Sequence, residues 1–180
     1  VAIASYYDHA ATGNIRIVKT DAIDGSSLAG AVFEIRASGD IVRPDGSIAA
    51  LDGETVATIT TDETGEARAD NLPLGSGTAR YEVVETQAPT GFLLDRTPHI
   101  VDLAYADQKT PVVEARLNVS DDYTKVDISK VDASGEQEVE GAQLTLYGPD
   151  KTEIDSWTSS DKPHRVEHLA PGTYSLREMM

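Results

Sequence analysis

Cysteine is absent from this 180-residue sequence, which excludes disulfides, thiolate nucleophiles and zinc-thiolate sites. Aromatic residues are scarce, at 6% with one Trp, so a platform of stacked rings for carbohydrate has little to be built from. Positive charge is in short supply too: 15 Lys and Arg stand against 31 Asp and Glu, a formal charge of -16. That balance argues against nucleic acid or an anionic membrane as partner, and its plain effect is solubility. No apolar run reaches membrane-spanning length, nothing at the start resembles a signal peptide, and no stretch combines helical periodicity with caps. The chain opens on Val1. It reads as a piece of a longer or processed protein whose targeting and anchoring signals lie outside it.

What is present is a series of short alternating runs separated by turn residues. The opening VAIASYYDHAAT reads as a linker or as the closing strand of a preceding domain, and Gly13 then begins the strand GNIRIVKTD. The turn-rich AIDGSSLAG leads to AVFEIRA, in which Ala31, Phe33 and Ile35 share one face. A polar excursion follows from Ser38 to Glu54, with RPDGS as its turn. TVATITT and EARADNL flank the turn Asp62 to Gly65 and read as a hairpin. RYEVVETQAPTGF, LLDRTPHIVDLAY and VVEARLNVS supply the later strands. Short strands joined by turns indicate an all-β chain of tandem antiparallel β-sandwiches, immunoglobulin-like or prealbumin-like.

Two charged side chains fall on core faces. Lys19 alternates with Ile15 and Ile17, and Glu85 alternates with Tyr81 and Val83. A buried ammonium is unfavourable unless its charge is paired or removed. The arrangement then recurs: Val126, Ile128 and Lys130 alternate in VDISKVD. Lys19 and Lys130, Asp21 and Asp132, Gly30 and Gly141, Ala31 and Ala142, and Phe33 and Leu144 all share an offset of 111. YSLRE at 174–178 matches YEVVE at 81–85, so Glu178 repeats Glu85. Nothing in the second copy corresponds to Ala88 to Asn118. The repeat therefore divides the chain into 1–13, linker or closing strand; 14–119, a complete domain; 120–125, a linker; and 126–180, a second domain lacking its final strands.

GNIRIVKTD, LAGAVFEI, YEVVETQAPTGFLLDRTP and the terminal ARLN together resemble the B-type repeat domains of collagen adhesins (Cna B-type), also called SpaA-like pilin domains, of Gram-positive surface proteins. SKVDASGEQEVEGAQLTLYG, IDSWTSS and HLAPGTYSLRE in the second unit resemble the same family. The resemblance implies an intramolecular isopeptide bond, promoted by a buried glutamate, between a lysine of the first strand and an asparagine or aspartate of the last. Carried over, Lys19 is the nucleophile, Glu85 the catalytic acid and Asn118 the acceptor. Burial disfavours the charged forms of both a lysine and a glutamate, so such a pair can exist as neutral amine and carboxylic acid. A neutral amine is nucleophilic, and the acid can stabilise the charge developing on the acceptor and carry a proton to the departing ammonia.

Alternation in VVEARLNVS complicates the acceptor. Val113, Ala115, Leu117 and Val119 share one face, and Asn118 falls with Glu114 and Arg116. A β-bulge near Arg116 would return Asn118 to the core; otherwise Asp121, on the parity of Leu117, is the substitute. Asn118 stands first because its spacing before the next lysine-bearing strand resembles the family's domain junctions. Lys130 and Glu178 have no acceptor strand in this chain and read as an unreacted pair.

The resemblance implies a structural stalk or spacer of an extracellular, cell-wall-attached adhesin or pilus protein, with neighbouring domains of the same protein as partners. A bond tying the start of the domain to its end would carry tension across it. Such a bond forms once per molecule, so no turnover enzyme is expected, and no cofactor. The alternatives are a ligand-binding module for a glycan or host matrix protein, using loops such as Ser38 to Glu54, and an accessory domain of a secreted enzyme. No Ser-His-Asp, paired-carboxylate or metal constellation marks an active site. His164 and His168 read as surface residues, Asp21/Asp24 and Asp121/Asp122 lack the density of a calcium loop, and Trp157 reads as core or rim packing. The bland reading of Lys19 with Glu85 is a salt bridge. Finally, strand exchange between chains is an expectation of the two ends: Val1 to Asp8 could complete the second unit of another copy, with Asp8 facing Lys130.

Overall fold

The computed structural model of the chain describes residues 11–107, 109–110, 112–135 and 137–179, and the expected exchange strand at Val1 to Asp8 lies outside them. The chain divides into two compact units, one made of the chain up to Pro89 with Leu94–Asp121, the other of Thr90–Leu93 with Asp122 onward. All regular elements among the described residues are strands.

In the first unit, β1 (Thr12–Asp21) places Ile15, Ile17, Lys19 and Asp21 inward, as period-two alternation dictates. It is the middle strand of a sheet ordered β6-β1-β9, with β6 at Glu66–Pro73 and β9 at Val112–Asp121. The facing sheet is ordered β5-β2-β7-β8, from Thr55–Thr60, Val32–Ala37, Thr78–Gln87 and His99–Ala104. Between the sheets, Ile15, Ile17, Phe33, Ile35, Tyr81, Val83, Leu103 and Val119 form one buried cluster. Each such side chain contributes about 1.5–3 kcal/mol when fully buried. The Tyr81 hydroxyl, at the centre, donates to the Pro73 carbonyl at the end of β6 and so ties the two sheets together. Two short strands, β3 (Ile41–Val42) and β4 (Ile48–Ala50), pair around the turn expected at RPDGS.

Two features depart from the sequence-based expectation. The strands on either side of Asp62–Gly65 do not form a hairpin: β5 pairs with β2, and β6 pairs with β1 in the opposite sheet. The turn itself is locally well made, with the Asp62 carboxylate accepting from the Thr64 and Glu66 amides at 2.8 and 3.1 Å. What separates the strands is Thr61. Its hydroxyl donates to the Leu28 carbonyl at 2.8 Å and accepts from the Ala31 amide at 3.0 Å, which holds the end of β5 against the start of β2. The second departure is direction. Among the described residues every other strand pairing is antiparallel, but β1 and β9 run parallel, in unbroken register from Thr12↔Val112 to Asp21↔Asp121.

In the second unit, β10 (Lys125–Ile128) pairs with β13 (His164–Glu167), and β12 (Glu153–Thr158), β11 (Gln143–Tyr147) and β14 (Ser175–Met179) form a second sheet in that order. These strands reproduce β1 with β6, and β5, β2 and β7. Among the described residues, none stands in the places of β8 and β9.

Gly65 is where the crossing turn meets β1. Its carbonyl accepts from the Lys19 amide at 2.8 Å, its φ is +75°, and an added Cβ would lie 2.5 Å from the Lys19 carbonyl oxygen. Because the obstruction is backbone and the φ is left-handed, Gly65→Ala should destabilise the first unit by about 1–3 kcal/mol, read as a lowered urea midpoint with unchanged m-value.

Candidate functional site

The parallel direction of β9 decides what meets Lys19. Lys19 is near the carboxyl end of β1, and a parallel neighbour brings its own carboxyl end alongside. Lys19 is paired in register with Val119, and Asp121 follows two residues later on the same inward face. The Lys19 ammonium donates to Asp121 Oδ1. Glu85 approaches from the opposite sheet, at the end of β7, where it pairs with Phe33. Its Oε1 lies 3.0 Å from Lys19 Nζ.

All three side chains are sealed: 0% of Lys19, 1% of Glu85 and 0% of Asp121 is solvent-exposed. Phe33 forms a wall, its ring centroid 5.6 Å from Nζ, and the Asp95 amide donates to Glu85 Oε2 at 3.2 Å. Asp121 Oδ2 is buried without a hydrogen-bond partner among the described residues. Burial pushes the Glu85 carboxyl above its ordinary value; hydrogen bonding and charge from Lys19 pull it back, and the neighbouring Asp121 pushes it further up. The group is thus biased toward its protonated, neutral form.

Asn118 is not part of this site. It pairs with Val18 on β9 and is exposed, on the face it shares with Glu114 and Arg116. The bulge that would have turned it inward is absent, since the β1–β9 register has no shift. The carboxyl group that meets Lys19 beside Glu85 is that of Asp121, the residue that alternation had left as the substitute. Two contributors carried no sequence signal. The Asp95 amide sits in irregular backbone after β7, and Phe33 reads from the sequence as an ordinary core residue.

The second pair is arranged differently. Lys130 Nζ lies 3.5 Å from Glu178 Oε2, with 31% and 50% of the two side chains exposed. Of the expected surface histidines, His164 is half-buried, stacks on Trp157 at 4.2 Å and bonds to Asp155 at 2.7 Å, and His168 is exposed and stacks on Tyr123 at 4.3 Å. No group of three or more metal-ligating side chains occurs among the described residues. Away from the lysine site, the first unit has a cleft of about 630 Å³ lined in part by Arg43, Pro44, Ala49, Glu54 and Tyr105.

Comparison with known proteins bears on the fold. Solved structures with similar folds include the Bacillus anthracis TIE protein (24% identity, TM-score 0.52, covering 94% of this chain and 28% of that one). A streptococcal ancillary pilin (23%, 0.44, 94% and 54%) and the shaft pilin spaA of Lactobacillus rhamnosus GG (19%, 0.49, 93% and 87%) also align. The chain thus spans about a quarter of the first of these proteins and about half of the second. No curated protein matches. The SpaA family model, described as a prealbumin-like fold domain, matches residues 13–118 and again 124–180. Those two stretches account for nearly the whole sequence, and the chain belongs to the SpaA prealbumin-like fold domain family.

Proposed function

We propose that the first unit is a self-crosslinking stalk domain, in which Lys19 Nζ forms an amide with the Asp121 side-chain carbon. The supporting observation is the sealed triad: a lysine and two carboxyl groups in contact across facing sheets, without access to water. Moving one proton from the Lys19 ammonium to Asp121 Oδ2 leaves an amine, which is nucleophilic, and a carboxylic acid. Nζ then attacks the Asp121 carbon. Glu85, protonated, donates a hydrogen bond to the oxygen on which negative charge develops, and relays the amine's second proton to the departing hydroxyl. A C–N bond forms, a C–O bond breaks, and one water leaves. The strands hold the reacting groups in contact, which supplies the proximity an uncatalysed condensation lacks.

Lys19 and Asp121 are 102 positions apart, so closing this loop would contribute about 4 to 5 kcal/mol by the chain-entropy argument used for disulfides. A tie of this kind suits a cysteine-free structural segment of a cell-wall-anchored adhesin or pilus protein outside the cell, joined to further domains of the same protein. The reaction is a single self-processing event without turnover. A second reading, a ligand-binding module, draws on the cleft beside Arg43 and Glu54, which the Ser38–Glu54 excursion lines in part; a host glycan or matrix protein would be its ligand.

Intact mass tests the bond. The purified chain should be lighter than its sequence by one water. Lys19→Ala, Asp121→Ala and Glu85→Gln should each restore the full mass of the substituted sequence, and Asn118→Ala should keep the deficit. A wild-type chain of full mass would overturn the crosslink, and a deficit of one ammonia would return the acceptor to an asparagine. The thermal midpoint of the first unit should fall in Lys19→Ala, by an amount consistent with the loss of about 4 to 5 kcal/mol.

Removing only the cation gives a pH signature. In Lys19→Met, the two larger influences that lower the Glu85 value are gone; burial, the largest influence of all, and Asp121 still raise it, against only the weaker pull of the Asp95 amide. The folded state then holds this proton more tightly than the unfolded one. Stability is therefore fully present below the ordinary glutamate value of 4.5 and is lost as pH rises through the higher folded value. Urea midpoints of Lys19→Met should decline from acid toward neutral pH, and a Lys19→Met/Glu85→Gln double variant should lose most of that decline.

A further inference from the structure

We propose that a small clasp in the second unit, built on Gly91, Phe92, Tyr123 and Thr124, positions the first unit's reacting groups and so sets the rate at which the amide forms. This rests on the crosslinking reading of the first unit and concerns what regulates that same site.

Residues 90–93 follow the first unit's Pro89 in the chain and fold with the second unit. There Phe92 forms a bridge with Tyr123. The Leu93 amide donates to the Asp122 carbonyl at 2.8 Å, and the Thr124 amide donates to the Gly91 carbonyl at 2.9 Å. His168, just after β13, closes the clasp. Its ring stacks on Tyr123 at 4.3 Å and meets Phe92 edge-on at 5.4 Å, and its amide donates to the Thr124 carbonyl at 3.0 Å. The Thr124 hydroxyl donates to the Leu169 carbonyl at 2.8 Å and lies 3.2 Å from that of Gly91. Glycine is required at position 91: its φ is +86°, and an added Cβ would stand 2.7 Å from the His168 carbonyl oxygen.

Both strands of the clasp continue directly into the crosslinking residues. On one side Asp122 follows Asp121, the last residue of β9. β9 is an outer strand of its sheet, and the end of such a strand frays unless it is tied down. Here the Asp121 carbonyl accepts from the Ala22 amide at 2.8 Å, and the next carbonyl along is the one that the Leu93 amide holds. On the other side Leu93 stands two residues before Asp95, whose amide donates to Glu85 Oε2 at 3.2 Å. The hydrogen bond between Leu93 and Asp122 thus fixes the separation of two segments, one carrying the acceptor and the other the amide that orients the acid.

That amide selects which oxygen of Glu85 carries the proton. Oε2 accepts an N–H, so the acidic proton belongs on the other oxygen. This is Oε1, which lies 3.0 Å from Lys19 Nζ and makes no hydrogen bond among the described residues. From Oε1 the proton is beside the reacting nitrogen; on Oε2 it would point at the Asp95 backbone. An open clasp lets Asp95 and the end of β9 shift independently, and the acid, the amine and the acceptor are then aligned less often. Gly91 and Thr124 touch none of the reacting atoms and act as positioning residues.

The test follows water loss in the full chain during pulse-labelled cell-free synthesis, with aliquots quenched in denaturant and weighed intact. Thr124→Val, which keeps the side-chain shape and removes the hydroxyl, and Gly91→Ala should each slow the loss about tenfold. Thr124→Ser should retain the wild-type rate. Amide exchange at Ile15 to Val18 of β1, read in a Glu85→Gln background where no bond forms, should be unchanged by any of the three. A wild-type rate in either Thr124→Val or Gly91→Ala overturns the proposal. So does a slowing that Thr124→Ser shares, or one accompanied by faster exchange in β1, which would make the clasp a stabilising element only. Where the wild-type chain loses water and the variants keep pace, this inference alone falls; where the wild-type chain loses none, the crosslinking reading of the first unit falls and takes this one with it.

Discussion

An ammonium group enclosed between two protein sheets must have its charge answered by the protein. Lys19 has no exposed surface, and moving a lone cation there would cost several kcal/mol even after relaxation. Its two carboxyl neighbours arrive from different places: Asp121 from the strand beside it, Glu85 from the sheet across the core. A lysine held in this way requires both sheets to be assembled and β9 to be in register before its charge is compensated. The core residues on either side, Ile17 and Val119 on one sheet and Phe33 and Val83 on the other, provide the apolar burial that offsets the desolvation. Positioning and stability are in this respect the same requirement.

The local pattern of a strand says which face a residue takes but little about what that face meets. Lys19 and Glu85 were legible because each continues an apolar alternation, and Ile15, Ile17 and Lys19 on one strand and Tyr81, Val83 and Glu85 on the other are all buried in the structure. The parity of β9 was legible too, and it pointed to Asp121. Preferring Asn118 meant setting strict alternation aside in favour of spacing, and the unshifted β1–β9 register removes the bulge that choice required. The parallel course of β9 had no sequence signature, because strand direction is set by how the chain returns and not by the residues of the strand itself. The Asp62–Gly65 turn shows the same limit. Its residues make a tight turn in fact, but the hydrogen bonds of Thr61 to Leu28 and Ala31 assign the flanking strands to different sheets, and those partners are remote in sequence.

The two units make a natural comparison, since similar strands occupy similar registers with different degrees of cover. Glu85 and Glu178 both stand opposite a core residue of the neighbouring strand, yet one is sealed and the other is half in water. A carboxyl group and a lysine in water form an ordinary weak ion pair, worth little. The same two groups behind a closing strand lie in a medium where the neutral forms compete and where every hydrogen bond is stronger. The chemistry therefore belongs to the enclosure as much as to the residues, and the enclosure is supplied by strands distant from the lysine in sequence.

The parallel register of β1 and β9 sets where the proposed bond would tie the chain, and such a bond would limit how far the first unit could lengthen. An unlinked domain that unravels under a pull releases all of its contour, and the 102 positions from Lys19 to Asp121 would stretch to about 340 to 370 Å at roughly 3.3–3.6 Å per residue. Were the ends of the two strands joined side by side as proposed, that length would be held in a closed loop off the line of pull. Such a domain would behave as a fixed-length strut where an unlinked one behaves as a spring, and the end-to-end distance of an array built from such units would change little under load.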